Sequence, residues 1–260
     1  MQTAVLHPRL RSPGTTSRPA VVAVAKVAAV AGVASYNWWL VVPFVPGLMP
    51  SVNGFFSDLE ATGRPHASLM SDADMAAGVL MVAALLLRGS VWHGGVRREW
   101  KWMVAFAAAG AVGGRFPYAC SEGLSATCRT MEWHLQLPVH HYVHVVAGIA
   151  EFGFLTTAAV VAALRTRGDG GPSARIYRAV VTTLLVGYPF LGLVYITDRL
   201  GTLMEPVYFI AFSVMLLAEV FEPEGSAPTP PTWAERVALR GAADSGVRSP
   251  VRMSETSPQA

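Results

Sequence analysis

Charge is what this chain has least of. Only 14% of its 260 residues are Asp, Glu, Lys or Arg, where a soluble domain carries about 25%. The deficit falls in long apolar runs, the hydrophobic fraction is 52% and the mean hydropathy is +0.40. That combination excludes an ordinary soluble domain and indicates an integral membrane protein. The net charge is +3, yet the basic residues are scattered through loops and tails. Without a basic-aromatic cluster or a nucleic-acid motif, no nucleic-acid partner is expected. Also missing are a phosphate loop, a dinucleotide fingerprint, a Gly-x-Ser-x-Gly elbow, a haem-type cysteine motif and HExxH. No internal repeat is visible.

What is there is a set of six apolar segments, roughly 20–45, 72–88, 100–117, 139–164, 179–197 and 205–221. A span needs about 20 apolar residues, with about 17 as the lower bound, so the second, third and sixth are near the short end. Orientation follows from Lys and Arg, which accumulate on the cytoplasmic side. With the N-terminus inside, that side holds Arg9, Arg11, Arg18 and Lys26; Arg88, Arg97, Arg98 and Lys101; Arg165, Arg167, Arg175 and Arg178; and four tail arginines. The outer side holds Arg64, Arg115, Arg129 and Arg199. The expectation is an all-α polytopic membrane protein with six transmembrane helices, N-in and C-in, over residues 20–221. A signal peptide cut near Gly32 or Ala34 is the competing reading of the first segment. Lys26 inside it and the continuation through "WWLVVPF" argue against cleavage. Residues 1–19 and 222–260 are rich in Pro, Ser, Thr, Gly and Arg, and read as disordered cytoplasmic tails. Ala105, Ala109 and Gly113 have the small-residue spacing that suits close helix packing in lipid.

The two cysteines, Cys120 and Cys128, share the loop between the third and fourth segments, on the expected outer side. There the environment is oxidising and two cysteines within reach pair. Closing so short a loop stabilises by about 2–3 kcal/mol in the chain-entropy model. The alternative, a metal pair, usually has two to four intervening residues. A disulfide-tied outer loop is expected.

Five of the seven histidines, His66, His134, His140, His141 and His144, fall on that same side. Pro138 suits the opening turn of the fourth helix. His140 and His144 are then one turn apart, and His141 and His144 form a second candidate pair. The stripe continues to Gly148, which leaves room beside it. Asp72, Asp74, Asp198 or Glu205 would add an oxygen ligand. Zinc (Zn) held by two or three of these histidines and a carboxylate, with an open water position, is ordinary chemistry. The competing readings are proton sensing and simple interfacial placement, since histidine is comfortable where a helix meets water. Glu151 lies about 18 Å into its helix. A carboxylate at that depth must face the bundle interior, be paired, or be protonated. Lys26 is the one cation on the spans placed to approach it, and a polar cavity is the other reading. Asn37 is a neutral candidate partner.

Two loop motifs resemble a known family. "SDLEATGRPHASLM", running into the second segment, and "RFPYAC…TCR", followed by a histidine at the start of the fourth, are similar to the outer loops of bacterial and archaeal membrane proteins grouped as domain-of-unknown-function family 998. The resemblance covers about residues 20–221 and implies six helices in the cell membrane, with no activity attached. Where that family often has an acid after Phe-Pro, Tyr118 and Ala119 stand here, and "YITDRLG" replaces a simpler Gly-Leu-x-x-Arg ending. Three functions remain. The first is an envelope protein binding a lipid or a partner protein through its outer face. The second is a metal-dependent hydrolase acting on a lipid-linked substrate. The third is a small-solute or proton-coupled transporter built on Glu151, for which inverted repeats and a broken helix are missing. The first needs the fewest assumptions.

Overall fold

Lipid offers no partner for backbone N–H and C=O groups, so a crossing segment must satisfy its own as a helix. The computed structural model describes residues 18–46, 48, 54–92, 97–197 and 201–222. Among them it is all-helical: α1 Arg18–Tyr36, α2 Ala67–Ser90, α3 Trp100–Arg115, α4 Ala126–Trp133, α5 Val139–Arg165, α6 Pro172–Thr197 and α7 Gly201–Phe221. Five of them, α1, α2, α5, α6 and α7, are long and apolar enough to cross a membrane. This is a multi-span membrane protein. α3 has 16 residues, about 24 Å of helix, and α4 is a short helix between α3 and α5.

The ends of the helices differ from the expected segments for local reasons. α1 stops at Tyr36 because Asn37 turns the chain: its Nδ2 donates to Val33 O at 2.8 Å and Ser213 Oγ at 2.7 Å, and its Oδ1 accepts from Trp39 Nε1 at 3.0 Å. The rest of the first apolar run, Trp38–Phe44, is a 3-10 helix. α2 begins ahead of the expected 72, after His66 reverses the backbone with φ 61°. α6 begins at Pro172, a residue suited to a first helical turn. Arg18 and Pro19, expected in a tail, belong to α1; residues 1–17 and 223–260 lie outside the described residues.

The long helices stand side by side in the order α1, α2, α3, α5, α6, α7, and α7 returns to α1 to close the ring. The tightest seam is α2 against α3. A Cβ on Gly78 would stand 2.4 Å from Ala111 N, and one on Gly114 would stand 2.3 Å from Met75 N. Only glycine lets these backbones meet. The Ala105, Ala109 and Gly113 stripe turns toward α5 instead: Gly113 sits across from Ala147, and Ala105 and Ala109 line a groove with α5. Inside the ring Phe212 meets Phe106 and Phe152 with ring centroids 5.2 and 5.3 Å apart, in the edge-to-face geometry aromatic pairs prefer.

One end of the bundle carries the disulfide, the other a buried charge network. There the Glu222 carboxylate accepts from Arg97 in a short bond, from Arg165 Nη2 at 3.1 Å and from Tyr177 Oη at 2.7 Å. Arg165 Nε also reaches Glu99 Oε1 at 2.5 Å, and Arg97 Nη1 lies 3.9 Å from Glu219 Oε2. Arg88 donates to the Val220 and Glu222 carbonyls at 3.1 and 2.8 Å. Arg97 and Arg165 thus meet Glu99, Glu219 and Glu222, and Arg88 holds the end of α7, where α2, α3, α5, α6 and α7 converge. Glu222→Gln is expected to destabilise the bundle by about 3–5 kcal/mol, the cost of removing one partner of a buried ion pair. The readout is the thermal midpoint in detergent, and a midpoint unchanged from wild type would show that the network holds nothing together.

Candidate functional site

At the disulfide end, two of the histidines serve helix ends. His144 Nδ1–H donates to the carbonyls of Gly113 and Phe116, both at 3.0 Å, at the C-terminal end of α3. His134 Nδ1–H closes α4 in the same way on Thr130 O at 2.7 Å. His141 is fully buried; its Nδ1 accepts the Ala119 N–H at 3.3 Å, so its proton sits on Nε2, 3.4 Å from Glu132 Oε2. His140 is half-buried one turn from His144, and Asp72 is exposed at the start of α2. Among the described residues no group of three or more His, Cys, Asp or Glu side chains is placed to hold a metal ion. Asp198 lies outside them.

The organising element at this end is the "SDLE" turn, Ser57–Glu60, a short 3-10 helix. Asp58 accepts the Phe55 N–H and the Ser121 hydroxyl, both at 2.8 Å. Leu59 packs with Val42, Phe56 and Met70 in a small core of its own. Glu60 hydrogen-bonds Asp74 of α2, and Asp74 Oδ1 accepts from Trp38 Nε1 at 2.7 Å. Burial and the Asp74 carboxylate push the Glu60 carboxyl well above the usual range. Ser57 and the Phe56 N–H hold the Glu205 carboxylate of α7, the latter through a short bond. The neighbouring loop is locked by the Cys120–Cys128 disulfide, with Cα atoms 6.1 Å apart. It is stitched to the turn where Thr62 N and Oγ1 both donate to Tyr118 O.

Under these two loops a cavity of about 330 Å³ opens between α5, α6 and α7. Val145, Gly148, Ile149 and Phe152 recur at helical spacing and give it one face of α5, opposite Leu191 and Gly192 of α6. Neither Gly148 nor Gly192 has an atom within 4 Å of its Cβ position, so both widen the cavity. Its rim is polar: Ser57, Tyr118, Glu122 and Glu205. Tyr118 is held by tilted ring contacts with His144 at 4.0 Å and His141 at 5.1 Å between centroids. Burial and a hydrogen bond shared with Glu132 push the Glu122 carboxyl up to about 9, so at neutral pH it keeps its proton and can donate. The result is an apolar slot with hydrogen-bonding carboxyl groups at one end.

The chain matches the family described as protein of unknown function (DUF998) over residues 13–235. The chain belongs to the DUF998 family. No curated protein and no solved structure matches it. In this DUF998 protein both family-like loop motifs fall at the disulfide end, one as the Ser57–Glu60 turn and one around the disulfide.

The intramembrane candidates are separated. Glu151 Oε1 accepts from Tyr36 Oη at 3.2 Å across the ring, and Gly110 makes room for it, a Cβ there standing 3.0 Å from Oε1. Lys26, ten residues and about 15 Å of helix from Tyr36, lies over the Phe221 ring with Nζ 5.0 Å from the centroid. Asn37 holds the end of α1. Sequence reasoning missed Tyr36 and Glu60, along with the Glu122–Glu132 pair; two acids in a short turn between apolar runs were the available signal for Glu60.

Glu122 gives this end a pH signature. Its folded value is above the unfolded value near 4.3, so the folded state holds the extra proton and stability falls as pH climbs toward about 9. Glu122→Gln is expected to flatten that fall, widening its advantage over wild type from pH 5 to 9 in thermal midpoint. Parallel profiles for the two proteins would refute the assignment.

Proposed function

We propose that this protein is a six-span envelope protein, both termini cytoplasmic, that takes an amphiphilic membrane lipid into the cavity between α5, α6 and α7. The cavity itself carries the reading. Its volume, about 330 Å³, is within the range of small-molecule sites. Val145, Ile149, Phe152 and Leu191 suit an acyl or isoprenoid segment, while Glu122 and Glu205 suit a head group rich in hydroxyl or amine donors. The disulfide beside it supports an outward position, because such bonds persist in oxidising surroundings. α3 is the sixth span in this reading. It lies between α2 and α5 in the ring, with Lys101 and Arg115 near its ends to extend a short apolar stretch to the interface.

Native mass spectrometry of the protein released from its own membrane tests the site. Wild type is expected to retain a lipid that Gly148→Leu and Gly192→Leu, which fill the cavity, lose. Equal retention in all three would sink the proposal. The orientation is tested separately with carboxy-terminal fusions: a cytoplasmic reporter should be active at the C-terminus and after residue 166, and a periplasmic-type reporter after residue 121. The reverse pattern would overturn the assigned sides.

A further inference from the structure

A second cavity opens at the disulfide end, on the other side of the Ser57–Glu60 turn. It encloses about 510 Å³ between that turn, the start of α2 and the end of α3, and shares no lining residue with the first. Five of its residues carry ionisable side chains, Glu60, Arg64, His66, Asp72 and Arg115, so both signs of charge are represented. Two of its polar atoms, Glu60 Oε2 and Arg64 Nε, are buried and have no hydrogen-bond partner among the described residues. Glu60 is only 2% exposed, and its carboxyl is otherwise engaged with Asp74. Among the described residues no ion pair holds Arg64, Asp72 or Arg115; the Arg115 guanidinium lies 5.7 Å from the Phe116 ring centroid. The Ser71 hydroxyl donates to Gly114 O at 2.5 Å, so its proton is taken and it has none to give Glu60 or Asp72.

A buried acceptor and a buried donor left unmatched in the lining of one cavity are costly, and a ligand carrying both charges can satisfy the two together. A simple anion would answer Arg64 and Arg115 but leave Glu60 and Asp72 unmatched. A simple cation would do the reverse. We propose that this cavity binds a zwitterion, with its oxyanion at Arg64 and Arg115 and its ammonium at Asp72 and Glu60 Oε2. Guanidinium groups pair with phosphate or carboxylate through parallel N–H bonds, and carboxyl oxygens take ammonium protons. That chemistry is common to a phosphoethanolamine lipid head group and to soluble zwitterions of similar size. The assignment is independent of the lipid proposed for the first cavity.

The test uses the full chain in nanodiscs of phosphatidylglycerol alone, titrated calorimetrically with glycerophosphoethanolamine, glycerophosphate and ethanolamine. Glycerophosphoethanolamine is expected to bind about tenfold or more tightly than either half, since each half leaves a charged group unpaired. Arg64→Gln should remove that binding, and Asp72→Asn should make glycerophosphoethanolamine and glycerophosphate equivalent. Circular dichroism and thermal midpoints confirm that the variants are folded, with Arg115→Gln replacing Arg64→Gln if the latter is not. No binding of any probe, equal binding of all three, or wild-type binding by the arginine variant would overturn the proposal. Discs containing phosphatidylethanolamine then identify the source. Loss of probe binding in them assigns the site to the lipid head group, and undiminished binding assigns it to a soluble zwitterion. Gly148→Leu should leave every one of these titrations unchanged, which separates this site from the first.

Discussion

The Glu222 carboxylate is where the bundle is tied. It receives Arg97, Arg165 and Tyr177 at once, while Arg88 takes the Glu222 carbonyl. Charges removed from water this completely are tolerable only when each meets an opposite charge in good geometry. That requirement brings α2, α3, α5, α6 and α7 to one point and so sets where each begins its course toward the other end. The disulfide end is built by a different rule. There hydrogen bonds between loops, the Cys120–Cys128 bridge and a few aromatic stacks hold the surface, and the carboxyl groups face cavities as well as cations.

This asymmetry explains why the two ends have different chemistry. At the arginine end Arg97 and Arg165 pair with Glu99, Glu219 and Glu222, and Arg88 is engaged by backbone carbonyls, leaving little to recognise a ligand. At the other end Glu122 shares its hydrogen bond with a second acid, Glu132, and Glu60 does the same with Asp74. Paired acids in poor solvent keep protons. They present both donors and acceptors to whatever enters, which suits recognition better than a neutralised pair does. The Ser57–Glu60 turn stands between the two cavities, offering Ser57 to one and Glu60 to the other.

Much of the architecture was legible in the sequence, because apolar length and the need for internal hydrogen bonding leave few alternatives. The helices, the disulfide and the family were all readable there. What was not readable was any feature set by contacts between distant segments. By spacing alone the histidines near residue 140 read as ligands, proton sensors or interfacial residues, because spacing along one helix says nothing of the carbonyls of Gly113 and Phe116 that claim His144. Glu151 read as a partner for Lys26 or as the lining of a polar cavity, because both residues interrupt apolar runs; helix pitch puts the two at different depths. Tyr36, its actual partner, is an unremarked aromatic in sequence. Likewise Asn37 ends α1 through Ser213, a residue far along the chain, so no local propensity marks the break.

Gly148 and Gly192 carry a consequence for how such a protein can diversify. Both face open space, unlike Gly78 and Gly114, whose neighbours forbid any side chain. Adding a methyl at either open position shortens the slot without pressing on a helix. The dimensions of the slot can therefore drift in small steps while the folding free energy stays level. What the slot admits is uncoupled from robustness of the scaffold, so new preferences can be explored by mutations that are nearly silent in stability.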